Sequence, residues 1–269
     1  MTISGSIILK KGREHSIQRF HPWIFSGAIH AKEGTLTDGC WVEVKGANQK
    51  TLGFGHYQDG SIAVRVLSFL STPPDADFWK MKLSTALQLR KQAQLPELHT
   101  NAFRLVHGEG DGLPGLIIDF YAGTTVVQAH DTGMHLDRHQ IAQALQEVLV
   151  SSLNSIYYKS QGTLPGQLRD TLQDEYLYGK ALVPVVINEN GKKFLVDWES
   201  GQKTGFFLDQ RDNRKLLGKY SKGKKVLNTF CYTGGFSVYA LLEGAALVHS
   251  VDASEKAIEL TRKNIELNG

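Results

Sequence analysis

The run Val226-Leu227-Asn228-Thr229-Phe230-Cys231-Tyr232-Thr233-Gly234-Gly235-Phe236-Ser237 passes from an apolar strand into a glycine pair that opens a helix. Glycines at such a turn let a ligand approach the backbone, and a helix N-terminus offers N–H groups with no partner inside the helix. Asp252 ends the next apolar run, 17 residues after Gly235. A carboxylate there suits the two hydroxyls of a ribose, so strand, turn and acid together point to a nucleoside cofactor. A plain tight turn between strand and helix is the alternative.

Nicotinamide dinucleotides and S-adenosylmethionine both use a glycine turn followed by an acid, and the glycine spacing separates them. A dinucleotide needs Gly-x-Gly-x-x-Gly so that its pyrophosphate rests on the helix, whereas only Gly234-Gly235 occurs here. S-adenosylmethionine carries no phosphate and needs only a close backbone. A second chemical signal is charge. Between Gly201 and Lys225, Lys203, Arg211, Arg214, Lys215, Lys219, Lys222, Lys224 and Lys225 face only Asp209 and Asp212. Such a segment is either a solvated helix face or a phosphate-facing one. His135 and His139, four apart on a predicted helix, could share a metal, but no third ligand is evident and a solvated face is expected.

The elements that position these residues follow from periodicity. Ser6 to Leu9, Cys40 to Lys45, Thr51 to Tyr57 and Ile62 to Leu67 are apolar or alternating runs between glycines, which predicts a small β-barrel. Pro73-Pro74 then marks a boundary, because proline can neither join a ladder nor continue a helix. One amphipathic helix is expected over Asp77 to Leu95, strands at Phe103 to Val106, Leu116 to Tyr121 and Thr124 to His130, a helix from Met134 to Val150, and a strand at Ser155 to Lys159. Asn190-Gly191 joins Leu182 to Ile187 and Lys193 to Trp198 as a hairpin. Beyond it, helix Asp209 to Tyr220, strand Lys225 to Phe230, helix Gly235 to Leu242, strand Leu247 to Val251 and helix Ser254 to Leu267 alternate as in a parallel α/β sheet. The fold class is multidomain α/β: residues 1–72 a barrel, 73–188 a central α+β domain, and 189–269 the opening of a nucleotide fold.

Composition narrows the class further. The chain has 269 residues, 41% of them hydrophobic, enough for a sizeable core. No apolar run is long enough to span a bilayer and no signal peptide is evident, so a cytoplasmic protein without a membrane partner is expected. Cys40 and Cys231 lie too far apart in sequence to read as a disulfide scaffold or a zinc site. With 30 basic against 27 acidic residues, the net charge of +3 does not by itself indicate nucleic acid.

Asn228 to Ser237 resembles the cofactor loop of the PUA-containing ribosomal RNA large-subunit 5-methylcytosine methyltransferases, and three other segments agree in the family's order. Leu9-Lys10-Lys11-Gly12-Arg13 with His21-Pro22-Trp23-Ile24-Phe25-Ser26-Gly27-Ala28-Ile29 is similar to its PUA domain, an RNA-binding barrel. Arg104 to Leu116, which contains His107-Gly108-Glu109-Gly110-Asp111-Gly112, resembles the start of its central domain. Lys203-Thr204-Gly205-Phe206-Phe207-Leu208-Asp209-Gln210-Arg211-Asp212-Asn213-Arg214 resembles the segment that enters its methyltransferase domain.

The resemblance implies S-adenosylmethionine as cofactor, a PUA-like barrel and an incomplete Rossmann-like domain. Its cofactor residues would be Phe207, Gln210, Arg211, Asn228, Phe230, Tyr232, Thr233, Gly234, Gly235 and Asp252. Lys10, Lys11, Arg13 and Arg19 would bind large-subunit ribosomal RNA, and a homodimer is a further option. Trp23 and Phe25 are expected in the core rather than as stacking platforms, and Arg214, Lys215 and Lys219 on an ordinary capped helix. Cys231 could be imagined as the thiolate that attacks carbon 6 of cytosine, but its place inside the cofactor loop makes it a small packing residue. The family's catalytic cysteine and its Asp-Pro-Pro type segment do not occur in the sequence, so catalytic residues are none and the chain is expected to be an inactive fragment. An RNA-binding module without catalysis and a nicotinamide-dependent enzyme are the competing functions.

Overall fold

The computed structural model describes residues 1–269, apart from the side chain of Gln167, and the chain separates into two compact units. Met1–Leu89, Leu105–Ile118 and Val127–Gly179 make one, while Arg90–Arg104, Asp119–Val126 and Lys180–Gly269 make the other.

In the first unit, strands β1 (Ile3–Leu9), β2 (Trp23–Phe25), β3 (Ile29–Gly34), β4 (Trp41–Lys45), β5 (Thr51–Tyr57) and β6 (Ile62–Ser68) form one curled sheet in the order β2-β6-β5-β4-β1-β3. Its single parallel pair is β1 with β4. Alternate residues Ile7 and Leu9, Val42 and Val44, and Val64 and Val66 point inward, and Ile17 of the short helix α1 (His15–Gln18) joins that core. Four of the six strands lie where the sequence periodicity predicts them. The exceptions are β2 and β3, which are short or polar on one side.

The same period of two corrects the expectation for Trp23 and Phe25. In β2 only Ile24 enters the core, while Trp23 is half-buried and Phe25 is 48% exposed. They are outer-face residues.

Helix α2 (Phe78–Gln92) follows the proline break and buries Phe78, Trp79, Leu83 and Ala86. Strands β7 (Ala102–His107), β8 (Leu116–Tyr121), β9 (Thr124–Ala129), β10 (Ser155–Tyr158) and β11 (Glu175–Tyr178) form a sheet in the order β11-β10-β9-β8-β7. The predicted helix Met134 to Val150 is instead two, α3 (Thr132–Leu136) and α4 (Arg138–Leu149). Asp131 caps α3 by accepting from Met134 N at 3.0 Å. The two meet at Asp137, whose ψ of 2° leaves the helical range, and whose carboxylate is engaged by Trp41 Nε1 at 2.8 Å and His56 Nε2 at 2.9 Å. His135 is therefore not on a solvated face: it is buried, with Nδ1 2.9 Å from the Tyr158 hydroxyl. A short helix α5 (Gly166–Thr171) completes this region.

In the second unit, β12 (Val185–Glu189) and β13 (Lys192–Val196) form the hairpin, with Asn190 and Gly191 both at positive φ as a two-residue turn requires. Helix α6 (Arg211–Ser221), strand β14 (Lys225–Thr229), helix α7 (Gly235–Leu242), strand β15 (Leu247–Val251) and helix α8 (Glu255–Glu266) follow. β14 and β15 pair in parallel, Lys225 opposite Leu247 through Thr229 opposite Val251. Fold class thus matches expectation: mixed α/β, with a curled N-terminal sheet and a Rossmann-like βαβ unit.

Candidate cofactor site

The turn after β14 and the end of β15 meet at one carboxylate. Asp252 Oδ2 accepts from Tyr232 N and Oδ1 from Ser254 N, both at 2.9 Å. These N–H groups, Ser254 first and Tyr232 second, hold the Asp252 carboxyl below the usual carboxylate range. Each oxygen keeps a lone pair for a further donor.

Asp252 lies on the wall of a cavity of about 210 Å³ together with Asp197, Gln202, Gly205, Tyr232 and Lys256. Asp197 accepts from Ser200 N at 3.0 Å and from the Ser200 hydroxyl, to which Lys256 Nζ also donates at 2.5 Å. Burial works against charge on Asp197, yet the Ser200 hydroxyl and N–H and the Lys256 ammonium outweigh it and lower its pKa. The cavity therefore presents two ionised carboxylates. Sequence reasoning missed Asp197 and Lys256, which lie outside the glycine motif; the polar stretch directly after β13 was the only signal available.

Tyr232 ties this cavity to the segment that precedes α6. Its hydroxyl donates to Gly205 O at 3.2 Å and accepts from Gln202 N at 2.9 Å, and its ring meets Phe207 edge-on at 5.3 Å. The Phe206-Phe207 segment is itself anchored from beneath. Thr204 Oγ1 donates to buried Asp119 at 2.6 Å, and Tyr121 hydroxyl shares a 2.9 Å hydrogen bond with Thr204 and reaches Phe206 O at 3.3 Å. Arg104 closes the network through two bonds to Asp119, 2.8 and 3.0 Å long.

The glycines have a different reason from the one the sequence suggests. Gly234 sits at φ 73°, and a Cβ there would stand 2.6 Å from Thr261 Cγ2 on α8. A Cβ on Gly235 would stand 2.9 Å from Arg214 Cδ. The close approach is therefore to the chain's own helices, which seat the turn. Thr261 Oγ1 also donates to Tyr232 O at 3.0 Å, and Asn264 Nδ2 to Thr233 O at 2.8 Å.

Among the residues expected to touch cofactor, Phe207, Tyr232 and Asp252 converge, with Thr233, Gly234 and Gly235 in the backbone of the same turn. Asn228 donates to Ser237 Oγ at 2.9 Å, and Phe230 is 89% exposed. Gln210 and Arg211 bond to neighbours in their own segment, Asp209 and Asp212. Arg214 is not a surface residue of α6. It is buried in a two-bond ion pair with Glu189, Nε–Oε1 2.8 Å and Nη2–Oε2 2.6 Å, and lies 4.6 Å over the Phe206 ring. Cys231 is buried, its sulfur 3.6 Å from Thr261 Oγ1, as a packing residue would be. On the first unit, Lys10, Lys11, Arg13 and Arg19 are all exposed.

Comparison with known proteins adds two family matches. Residues 7–69 match the PUA-like domain family, and residues 103–269 match the S-adenosylmethionine-dependent methyltransferase family. The chain is 43% identical over 273 residues to the ribosomal RNA large subunit methyltransferase I of Aeromonas hydrophila, covering 99% of this chain and 68% of that protein. It is 40% identical over 270 residues to the protein of the same name from Shewanella amazonensis, covering 99% and 67%. A SAM-dependent methyltransferase structure from Streptococcus mutans superposes with a TM-score of 0.82 at 24% identity, over 99% of this chain and 68% of that one, which shows a shared fold.

Proposed function

The chain belongs to the S-adenosylmethionine-dependent methyltransferase family, with S-adenosylmethionine as its cofactor, and on that premise we propose that it serves the methylation of carbon 5 of a cytosine in large-subunit ribosomal RNA. The relatives' names support the RNA, and the four sequence motifs support the cytosine. Residues 1–72 would hold the RNA, 73–188 would form the central domain, and 189–269 would supply the cofactor-binding fold.

One observation carries the cofactor reading: the ionised pair Asp197 and Asp252 on a single cavity. S-adenosylmethionine supplies an electrophilic methyl on a sulfonium cation, and it also bears an ammonium and a ribose diol. Two carboxylates fit that set of donors and cations, whereas they oppose a dinucleotide's pyrophosphate. Asp252 would accept the ribose hydroxyls. Tyr232 and Phe207 would fix the wall beside them, Thr233, Gly234 and Gly235 would present backbone, and Gln210, Arg211, Asn228 and Phe230 would border the same site.

The 269 residues hold the cofactor without providing the nucleophile. Cys231 is packed against Thr261, and Cys40 packs beside the core of the curled sheet. Attack on carbon 6 needs an accessible thiolate beside the methyl donor; Cys231 is buried, and Cys40 is half-buried in the curled sheet. Bisulfite sequencing of large-subunit ribosomal RNA from cells with and without the gene tests the reading, because one cytosine should lose its protection on deletion. An unchanged pattern would reject the cytosine assignment. Incubating the 269-residue chain with labelled S-adenosylmethionine and unmodified ribosomal RNA should give no 5-methylcytosine, and robust product would reject its inactivity.

A further inference from the structure

Three aromatic side chains line the free edge of the curled sheet. β2 is the terminal strand, so its outer backbone has no neighbouring strand. His21 and Trp23 meet edge-on at 5.9 Å, and Trp23 and Phe25 at 6.4 Å. The array is held in place: Trp23 N donates to His21 Nδ1 at 3.1 Å, and the Trp23 indole N–H donates to Glu109 Oε1 at 3.0 Å. Phe25 nevertheless leaves much of its ring to solvent. A rigid, partly exposed aromatic array rimmed by polar groups marks an interaction site.

These residues wall a cavity of about 370 Å³ that Arg13 and Gly27 complete. That volume is within the range of roughly 300–1,000 Å³ typical of ligand sites. Its rim is positive. Lys10 Nζ donates to Gly27 O at 2.9 Å, which holds the ammonium at the cavity edge, with Lys11 and Arg13 next in the chain. Among the described residues, Lys10, Lys11, Arg13 and Arg19 have no acidic partner. Uncompensated cations around these edge-on rings fit a polyanion with flat faces.

We propose that this cavity seats an unpaired nucleobase of the RNA substrate, stacked on Phe25 against the Trp23 and His21 walls, with Lys10, Lys11 and Arg13 meeting the flanking phosphates. The inference rests on the reading that the N-terminal sheet binds RNA. It adds that single-stranded rather than paired RNA is selected there, since a base within a helix cannot offer its face to a side chain.

Fluorescence anisotropy of the 269-residue chain with a labelled single-stranded RNA and with a fully paired RNA of the same length tests this. The wild type should prefer the single strand. Phe25→Ala should weaken single-strand binding about 10- to 100-fold with an unchanged salt slope, and Phe25→Tyr, which keeps the ring, should restore it. Lys11→Ala and Arg13→Ala should each flatten the salt slope by about 0.7, the value for one lost single-strand phosphate contact. If the charge variants lose affinity while Phe25→Ala does not, the base site is wrong and RNA binding by the sheet stands. If the paired RNA binds as well as the single strand, the base site is likewise overturned. If the wild type binds neither RNA, both readings fail together. Circular dichroism of Phe25→Ala should match the wild type, because the side chain lies outside the core.

Discussion

The backbone N–H of Tyr232 donates to Asp252 Oδ2 at 2.9 Å, so the turn that follows β14 is fixed by the residue that ends β15. Ser254 N holds the other oxygen. This makes Asp252 a structural acceptor as well as the expected partner of a ribose.

The arrangement sets a pH dependence. The Asp252 pKa is depressed in the folded chain, so its contribution is complete above the unfolded value of about 3.9 and is lost as pH falls through the lower folded value. Thermal unfolding of the wild type and Asp252→Asn should therefore differ by a constant amount from pH 7 to about pH 5, with the gap closing progressively below. A gap that closes already above pH 5 would show that Asp252 is not held this way.

Gly234→Ala should destabilise the chain by about 1–3 kcal/mol, because alanine meets both a left-handed φ and Thr261. Urea unfolding measures this. A neutral effect would mean that α8 does not seat the turn.

Arg214→Met leaves the buried Glu189 carboxyl without its cationic partner, and should cost about 3–5 kcal/mol. The double variant Arg214→Met with Glu189→Leu should recover most of the loss, since a matched apolar pair needs no compensation. Equal loss in the single and double variants would contradict the ion-pair account.

Thr204→Val removes a donor to Asp119 and one of two partners of the Tyr121 hydroxyl, both buried, and should cost about 1–3 kcal/mol. The protease sensitivity of the Gly205-Phe206-Phe207 segment should rise in parallel. Unchanged cleavage there would show that the network does not anchor the segment.

The legible parts of this molecule were those with a local cause. The period of two in β4, β5 and β6, the Asn190-Gly191 turn and the alternation from Lys225 to Glu266 depend on neighbours in sequence. Asp252 was visible for the same reason, since it ends a strand that follows a glycine turn. Features that depend on distant partners were not legible. Asp137 divides a predicted helix and gives its carboxylate to Trp41 and His56, and Arg214 is buried in a pair with Glu189. Asp197 joined the site only when the cavity brought it beside Asp252. Gly234 and Gly235 were identified correctly as a special turn, but the close neighbours are Thr261 and Arg214.

In the proposed function, Asp252 accepts the ribose hydroxyls of S-adenosylmethionine. Isothermal titration of S-adenosylmethionine into the wild type and Asp252→Ala tests it most directly. S-adenosylmethionine should bind the wild type at one site and the variant at least about tenfold more weakly, by the loss of charge-assisted hydrogen bonds, and NAD should bind neither. Equal affinity in both proteins, or binding of NAD in place of S-adenosylmethionine, would contradict it.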